Sequence, residues 1–286
     1  MKRIIFTFCC SMLLLTAAAQ NIIRPKIAGP NGLWVNSYNG VLFFGQTDFE
    51  TQNSAMPMEL RFYYNSSSHN TNYGYGLGFS LGYEMRYEIA DNGDVTIYQG
   101  DGRSDTFKRY GNDFEAPAGV FSKLTMADDT YTVTEKTGEK HIFGNSTYKK
   151  LTAEVDRFGN RTDLTYQDSL LVQIKDAVGH TINLEYTNGM MTRATASFLN
   201  GAFTYQYDAK NRLRKRTDAM GFSTLYDYDK DNHIDEITDA NGNKTYTDAA
   251  GVTTTQCDEY NYTDENGNII TDGYGYIDPY TGSYIN

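Results

Sequence analysis

The sequence predicts an all-β protein built from antiparallel hairpin repeats that form a curved or spiral sheet, preceded by an N-terminal β region. Three observations support this fold class. An Asp, a Gly and a Tyr recur at fixed offsets in the second half of the chain. Tyr (24), Phe (15) and Gly (26) are abundant, which favours strands and tight turns. No segment after residue 19 keeps an apolar spacing of three and four residues over a dozen positions, so we expect few long helices.

The first 19 residues predict a secretory signal peptide. Lys2 and Arg3 precede an uncharged apolar stretch at 4–15, and the small residues that follow end in an Ala-x-Ala pattern with cleavage after Ala19. A transmembrane anchor is the alternative, but the stretch is short for a membrane span. We therefore expect an exported chain, secreted or at the cell envelope, with no membrane span after cleavage.

Charge and cysteine content limit the classes of partner. Removal of Lys2 and Arg3 leaves 23 basic residues against 36 acidic ones, a net charge of −13. This charge argues against nucleic acid and anionic membrane surfaces as partners, because their phosphates favour clusters of Lys and Arg. Cys257 is the one cysteine left after cleavage, so no intramolecular disulfide is expected.

The repeat has a period of about 21 residues. From Asp156, the steps between the leading Asp residues are 20, 42 and 21. The interval of 42 corresponds to two periods, and a repeat with a replaced Asp and Gly falls in register inside it. Self-similarity at this period is typical of stacked arrays. The sets are Asp156, Gly159 and Tyr166; Asp176, Gly179 and Tyr186; Ser197, Asn200 and Tyr207; Asp218, Gly221 and Tyr228; and Asp239 with Gly242.

Each repeat is predicted as turn, strand, turn, strand. Residues six, eight and ten positions after the leading Asp share one face of the first strand, which is apolar and aromatic, and the residues between them are mostly polar. The predicted core positions are Thr162, Leu164, Tyr166, Ile182, Leu184, Tyr186, Phe203, Tyr205, Tyr207, Thr224, Tyr226 and Tyr228. We expect the leading Asp to accept backbone N–H groups in the turn, and the Gly three residues later to take a positive φ. The repeated residues are therefore predicted to have structural roles.

Several segments resemble the RHS, or YD-repeat, family. Tyr205-Gln206-Tyr207-Asp208, followed by Asn211-Arg212-Leu213, is similar to its characteristic repeat, and Tyr226-Asp227-Tyr228-Asp229 is a second copy. Upstream, Leu60-Arg61-Phe62-Tyr63-Tyr64-Asn65-Ser66 and Tyr75-Gly76-Leu77-Gly78-Phe79-Ser80 resemble the segment that often precedes those repeats. The resemblance covers residues 31–249.

The resemblance implies a container or scaffold. Large members of the family wind such hairpins into a hollow β-shell, commonly around a C-terminal toxin or effector domain. This sequence has about five or six repeats, fewer than such a shell needs, and we expect no effector domain after them. Ile277 and Ser283 stand where the family's core region has Tyr and Arg, so self-cleavage is not carried over.

The predicted organisation has four parts. They are a signal peptide at 1–19, an N-terminal β region at 20–125, RHS/YD repeats at 126–249 and a degenerate tail at 250–286.

We predict structural roles for the candidate catalytic and metal-binding motifs, and surface or turn positions for the four histidines. Gly78-Phe79-Ser80-Leu81-Gly82 matches the nucleophile-elbow pattern, but a strand pattern follows it where that motif needs a helix. In the calcium-loop pattern that begins at Asp227, Asn232 replaces the required Gly and Thr238 the closing Glu. We predict no catalytic, cofactor-binding or metal-binding residue, although calcium binding by acidic turns stays open. The remaining acidic and His candidates are Asp229, Asp231, Asp264, Asn266, Asn268, His69, His141, His180 and His233.

The predicted function is a secreted, non-enzymatic scaffold that acts at the cell envelope or as part of a shell around an effector. Its expected partners are an RHS-like chain, an effector domain or a cell-surface glycan. The alternative is an extracellular carbohydrate-binding module, because the chain is rich in Tyr, Asn and Asp. The exposure of Tyr205 and Tyr226 distinguishes the two, since a buried ring cannot stack on a sugar.

Overall fold

The computed structural model describes residues 41–51, 56–144 and 148–246 with their side chains. It also describes the backbone of residue 247 and of the short strands outside these ranges. Every pair of neighbouring strands is antiparallel, which confirms the predicted fold class. No helix among the described residues is long and apolar enough to cross a membrane. The predicted signal peptide at 1–19 and the side chains of the tail at 250–286 lie outside the described residues.

The first sheet belongs to the N-terminal region. Its strands pair in chain order: β1 (Ile22–Ile23), β2 (Trp34–Asn36), β3 (Leu42–Glu50), β4 (Glu59–Asn65) and β5 (Phe79–Leu81). Leu60, Phe62 and Tyr64 on β4 are buried, because alternate side chains of a strand point to the same face. A short 3-10 helix, Ser66–Ser68, follows β4.

The second sheet has four strands and contains a hairpin that the sequence Asp91-Asn92-Gly93-Asp94, between two alternating strand segments, predicts. The four strands are β6 (Arg86–Ile89), β7 (Val95–Tyr98), β8 (Ser104–Tyr110) and β9 (Asp113–Glu115). Gly93 takes a φ of 86° in the turn between β6 and β7, a conformation that glycine adopts at little steric cost. The hairpin prediction is confirmed.

The third sheet has fourteen strands, each paired with the strands that precede and follow it in the chain. They are β10 (Lys123–Ala127), β11 (Thr130–Thr134), β12 (Lys140–Phe143), β13 (Ala153–Val155), β14 (Arg161–Gln167), β15 (Leu170–Lys175), β16 (Thr181–Thr187), β17 (Met190–Ala196), β18 (Phe203–Tyr207), β19 (Leu213–Thr217), β20 (Ser223–Tyr228), β21 (Ile234–Thr238), β22 (Lys244–Thr247) and β23 (Thr253–Gln256). Two backbone hairpins follow, β24 (Tyr262–Thr263) with β25 (Ile269–Ile270), and β26 (Tyr276–Ile277) with β27 (Tyr284–Ile285). The domain boundaries at 125 and 249 stay predictions.

The first sheet covers the apolar face of the repeat sheet. Phe49 lies 5.3 Å from Phe203 between ring centroids, and Phe62 lies 5.5 Å from Tyr205. The predicted core positions Leu164, Ile182, Leu184, Phe203, Tyr205 and Tyr226 are all buried. A buried aromatic or aliphatic side chain of this size stabilises the fold by about 1.5–3 kcal/mol. The predicted core face is therefore confirmed at these positions, whereas Thr224 and the four repeat tyrosines are half-buried.

A β-bulge precedes each repeat tyrosine. The pairing register shifts immediately before Tyr166, Tyr186, Tyr207 and Tyr228, and one residue on the partner strand is left over. The extra residues are Val172, Thr192, Arg214 and Asp235. A bulge bends its strand and increases the right-handed twist, so the repeated bulges bend the sheet at regular intervals. The repeat pattern in the sequence does not predict these bulges.

The loop between β4 and β5 docks on one end of the repeat strands. Met191 donates its N–H to the carbonyl of Gly74 at 2.8 Å, and Leu77 donates to the carbonyl of Asn211 at 3.2 Å. Gly76 has a φ of 108°, and a Cβ there would lie 3.2 Å from the backbone nitrogen of Leu213. This close approach requires glycine.

Candidate functional site

Six turns of the repeat sheet are closed by an aspartate carboxylate. In each, Oδ1 accepts the backbone N–H groups of the residues two and four positions later, at 2.8–3.0 Å. The residues are Asp156, Asp176, Asp208, Asp218, Asp229 and Asp239. The role predicted for the leading Asp is confirmed at four of them. Asp208 and Asp229 were not predicted, because Asn211 and Asn232 supply the positive φ that glycine supplies elsewhere.

The second carboxylate oxygen is also bonded in five of these turns. Its donor is the side chain of the residue four positions after the Asp, namely Asn160, His180, Arg212, His233 or Asn243, at 2.6–3.1 Å. At Asp218 that position is Phe222, whose side chain has no donor. Asp218 is thus the one of the six in which the described residues place no side-chain donor on Oδ2.

These bonds favour the ionised carboxylate. At Asp176, partial burial opposes ionisation, but the bonds from the side chain and backbone of His180 outweigh it and lower the pKa. The same balance lowers the pKa of Asp208, Asp229 and Asp239. Charged hydrogen bonds of this kind are among the stronger contacts of a fold. The repeated acidic residues therefore act in folding.

The repeat tyrosines connect one repeat to the preceding one. The Tyr186 hydroxyl donates to the carbonyl of Leu171 at 2.9 Å, the residue that pairs with Tyr166. Tyr207 makes the same contact with Met191 at 2.7 Å, and Tyr228 with Leu213 at 2.8 Å. The hydroxyl of Tyr166 is buried and has no partner among the described residues. Three of the four repeat tyrosines are thus hydrogen-bonded, and all four pack against the core, as predicted.

A polar cluster, which we call the junction, joins β3 to the repeats. It consists of Gln46, Asp48, Tyr205, Arg216 and Tyr226. Arg216 Nε lies 2.6 Å from Asp48 Oδ1, and the Tyr205 hydroxyl donates to Asp48 Oδ2. The register of β3 and β4 shifts between Thr47 and Phe49, so Asp48 is a bulge residue. A bulge redirects a side chain, and here it turns a carboxylate toward the repeat sheet.

Burial controls the ionisation of the junction. The side chain of Asp48 is fully buried. Desolvation raises its pKa to about 6, against the opposing charge of Arg216 and the hydrogen bond from Tyr205. Gln46 lies 2.8 Å from the Tyr226 hydroxyl, and in the amide orientation that satisfies both neighbours its oxygen accepts from Arg216 Nη1 at 2.6 Å. The junction is thus an ion pair enclosed by neutral hydrogen-bonding groups.

An open cleft of about 620 Å³ lies beside the junction. Gly45, Gln46 and Thr47 of β3 line one side, and the Asp218 and Asp239 turns line the other together with Arg216, Phe222, Thr224 and Asn241. Phe222 is 56% exposed. The cleft therefore combines an exposed ring, amides, hydroxyls and carboxylates.

A smaller cavity of about 220 Å³ lies between the first two sheets and includes Ser80. The Ser80 hydroxyl donates to the carbonyl of Gly100 at 2.5 Å. The guanidinium of Arg86 lies 4.0 Å from the centroid of the Tyr98 ring, and Glu84 pairs with Lys150 at 2.6 Å. Each of these polar groups has a partner within the fold.

Comparison with known sequences finds two family profiles, each of which matches part of the chain. Residues 207–244 match the profile described as RHS Repeat. The chain contains an RHS repeat. Residues 32–107 match a second profile, described as Domain of unknown function (DUF6531). The junction connects the two matched regions, because Asp48 lies in the DUF6531 match and Arg216 in the RHS repeat.

One solved structure similar to this RHS-repeat chain is described as the crystal structure of TcdB2-TccC3-TEV. It is 9% identical, with a TM-score of 0.21, and the match covers 89% of this chain. This chain spans 22% of the length of that one. No curated protein matches the chain.

The structure locates the candidate catalytic serine of the RHS-repeat chain. Ser80 lies on β5 and is followed by a turn and by β6, so the strand–turn–helix context of a nucleophile elbow is not found there.

The acidic residues of the calcium-loop pattern have other partners in the fold. Asp227 pairs with Arg214, and Asp229 closes its turn with His233. Asp231 lies 2.6 Å from Lys230 Nζ. Asp264, Asn266 and Asn268 lie outside the described residues. Among the described residues, no group of three or more His, Cys, Asp or Glu side chains is arranged to hold a metal ion.

The histidines, which were expected on surfaces or in turns, have varied positions. His180 and His233 close carboxylate turns, and His141 lies beside Glu154. The ring centroid of His69 lies 4.1 Å from that of His233.

Sequence reasoning missed the junction. Gln46, Asp48 and Arg216 carry no local motif, and the partners are more than 150 residues apart in the chain. The one available signal was a charged residue inside an apolar strand, since Asp48 precedes Phe49 in β3.

Proposed function

We propose that this RHS-repeat protein is an exported, non-enzymatic scaffold whose repeat sheet pairs with an RHS-like chain or an effector domain at the cell envelope. The main support for this proposal is that the repeated side chains make hydrogen bonds within the fold. The carboxylates close turns, and three repeat tyrosines bond to the preceding repeat. Because these side chains hold the repeats together, they support a structural role for the repeat sheet.

The ends of the repeat sheet supply a means of pairing. In the described part of the chain, β23 pairs with β22 alone. A terminal strand presents unpaired N–H and C=O groups to a further strand. Strand addition at such an edge provides affinity through the backbone, so it suits a partner of related fold.

The association state of the mature chain, residues 20–286, tests the proposal. Size-exclusion chromatography with light scattering is expected to give a dimer or larger assembly, or a stable complex with an RHS-like chain from the same locus. Thr255→Pro in β23 should reduce pairing, because proline removes a backbone donor, whereas Thr255→Ala should not. A monodisperse monomer from a locus without further repeats or effector genes would contradict the pairing role.

Export is tested separately. The chain expressed with its own N-terminus should appear outside the cytoplasm with an intact mass that begins at Gln20. A full-length mass in the cytoplasmic fraction would contradict the export part of the proposal.

The carbohydrate-binding alternative receives less support. The abundance of Tyr, Asn and Asp in the chain suggested this alternative. Tyr205 and Tyr226, however, are buried against the first sheet. A buried ring has no face for a sugar. Specific retention of the mature chain on a glycan array would nevertheless favour this alternative.

A further inference from the structure

The cleft beside the junction contains an exception to the turn pattern. In the other five carboxylate turns, a donor from the residue four positions later occupies Oδ2 of the Asp. In the Asp218 turn, an exposed phenylalanine stands there, and the described residues leave Oδ2 without a side-chain donor. The same substitution thus supplies a carboxylate oxygen and an aromatic ring at the border of one cleft.

Two other exposed phenylalanines, one in the repeats and one just before them, have a cation over the ring. The guanidinium of Arg157 lies 4.6 Å from the ring centroid of Phe158, and Lys136 Nζ lies 5.3 Å from that of Phe121. Within the described part of the chain, no cation lies over the ring of Phe222. Cations favour the face of an aromatic ring, and a carboxylate beside the ring adds a charge-assisted hydrogen bond to the same cation.

The charge of the cleft favours the same ligand. Asp218 and Asp239 both border it, and the cation of Arg216 is paired with the buried carboxylate of Asp48. The chain as a whole carries a net charge of −11. Because Asp48 offsets the charge of Arg216, the two remaining carboxylates favour a cationic ligand.

We propose that this cleft binds a lysine or arginine side chain of a partner polypeptide, with the cation between Asp218 Oδ2 and the ring of Phe222. Two hydroxyls that line the cleft, Thr47 on the β3 side and Thr224 on the side of Phe222, are available to bond the partner's backbone. The site is independent of strand pairing at β23, so failure of either proposal leaves the other intact.

Peptide titration of the full mature chain tests the site. The probes are an arginine peptide, acetyl-Gly-Thr-Arg-Thr-Gly-amide, and its citrulline counterpart, which keeps the shape and lacks the charge. We expect the arginine peptide to shift the backbone N–H resonances of Met220 and Phe222, and to bind about tenfold more tightly than the citrulline peptide. Affinity should fall with added salt.

Phe222→Asn is the most informative variant because it restores the turn pattern. The new amide should occupy Asp218 Oδ2 as Asn160 occupies that of Asp156, so the variant should fold with an equal or higher melting temperature and lose about tenfold in affinity. Phe158→Asn is the matched control and should bind as the unmodified chain does. Asp218→Asn keeps an oxygen for the turn, removes the charge and should also weaken binding.

Three results would overturn the proposal. They are equal binding of the arginine and citrulline peptides, undiminished binding by Phe222→Asn, and no binding of the arginine peptide to the unmodified chain. Binding of neutral disaccharides such as cellobiose at the same resonances, without arginine binding, would assign the cleft to a sugar instead.

Discussion

The two ends of the repeat strands differ in what they present. One end, the Asp–Gly rim, has its turns at 156–159, 176–179, 218–221 and 239–242, and three of their tip residues are apolar and more than 70% exposed: Phe158, Val178 and Met220. The other end, the Tyr rim, has turns at 168–169, 188–189, 208–211 and 229–232. It contacts the loop between β4 and β5. The same repeat thus makes a covered end and an exposed one.

The difference indicates a division of roles. At the Tyr rim, the docked loop and the tyrosine hydroxyls satisfy backbone groups, so that end contributes to stability. At the Asp–Gly rim, the carboxylates hold the backbone while apolar side chains face water. Exposed apolar side chains that form a contiguous patch are typical of interaction surfaces, so the association state tests whether these tips act together.

The largest expected effect separates glycines at the two rims. Gly76→Ala should destabilise the protein by about 3 kcal/mol, because the positive φ is strained and the new Cβ meets the backbone of Leu213. At the Asp–Gly rim, a Cβ at Gly221 would meet open space, so Gly221→Ala should lower the free energy of unfolding by about 1 kcal/mol. Urea denaturation of both variants measures the difference. Equal losses would mean that the docked loop does not stabilise the Tyr rim.

A pH effect is expected from the junction, which lies beside the Asp–Gly rim. The pKa of Asp48 is about 6 in the folded chain and about 3.8 when unfolded, so the folded state binds the proton more tightly. Its contribution to stability is present below pH 3.8 and is lost as the pH rises through 6. Between pH 7.5 and pH 5, Asp48 should add about 1.4 kcal/mol to the free energy of unfolding.

Asp48→Asn is the control for that pH effect. It should remove the gain between pH 7.5 and pH 5, although Arg216 then lacks its counter-charge and the variant is less stable throughout. Guanidinium denaturation at both pH values measures this change in the free energy of unfolding. An unchanged pH dependence in Asp48→Asn would show that another group is responsible.

Tyrosine hydroxyls at the Tyr rim provide a matched pair. Tyr207→Phe should lower the free energy of unfolding by about 1 kcal/mol, because the carbonyl of Met191 loses its donor. Tyr166→Phe removes a buried hydroxyl that has no partner among the described residues, and should be neutral or slightly stabilising. Thermal unfolding of the two variants compares them. A loss at Tyr166 equal to that at Tyr207 would contradict the assigned bonding.

The smallest effect on stability is expected at the tips of the Asp–Gly rim. Val178→Ser and Met220→Ser should each change the free energy of unfolding by less than about 0.5 kcal/mol, because both side chains already face water. If this rim is an interaction surface, the pair should weaken association in light scattering without lowering the melting temperature. A marked loss of stability would show that these tips are packed in solution.

Much of the repeat sheet followed from the sequence. The strand faces around Leu164, Leu184 and Tyr226 and the carboxylate turn at Asp156 were predicted correctly. These features depend on contacts within about four residues and on the two-residue period of a strand, so a short window of sequence specifies them. The bulges before the tyrosines gave no such signal, since an extra residue is defined only against its partner strand.

The sequence by itself determined the hairpin period, the buried face and the carboxylate turns, because each arises from residues that are close in the chain. Tertiary structure alone decided the pairing of Asp48 with Arg216, which are 168 residues apart in the chain. It also decided the docking of the loop between β4 and β5 on the Tyr rim. It also placed β3 beside the one turn that ends in phenylalanine, which forms the cleft. Such contacts depend on how two sheets pack, and that packing is set by the sum of many small apolar contacts.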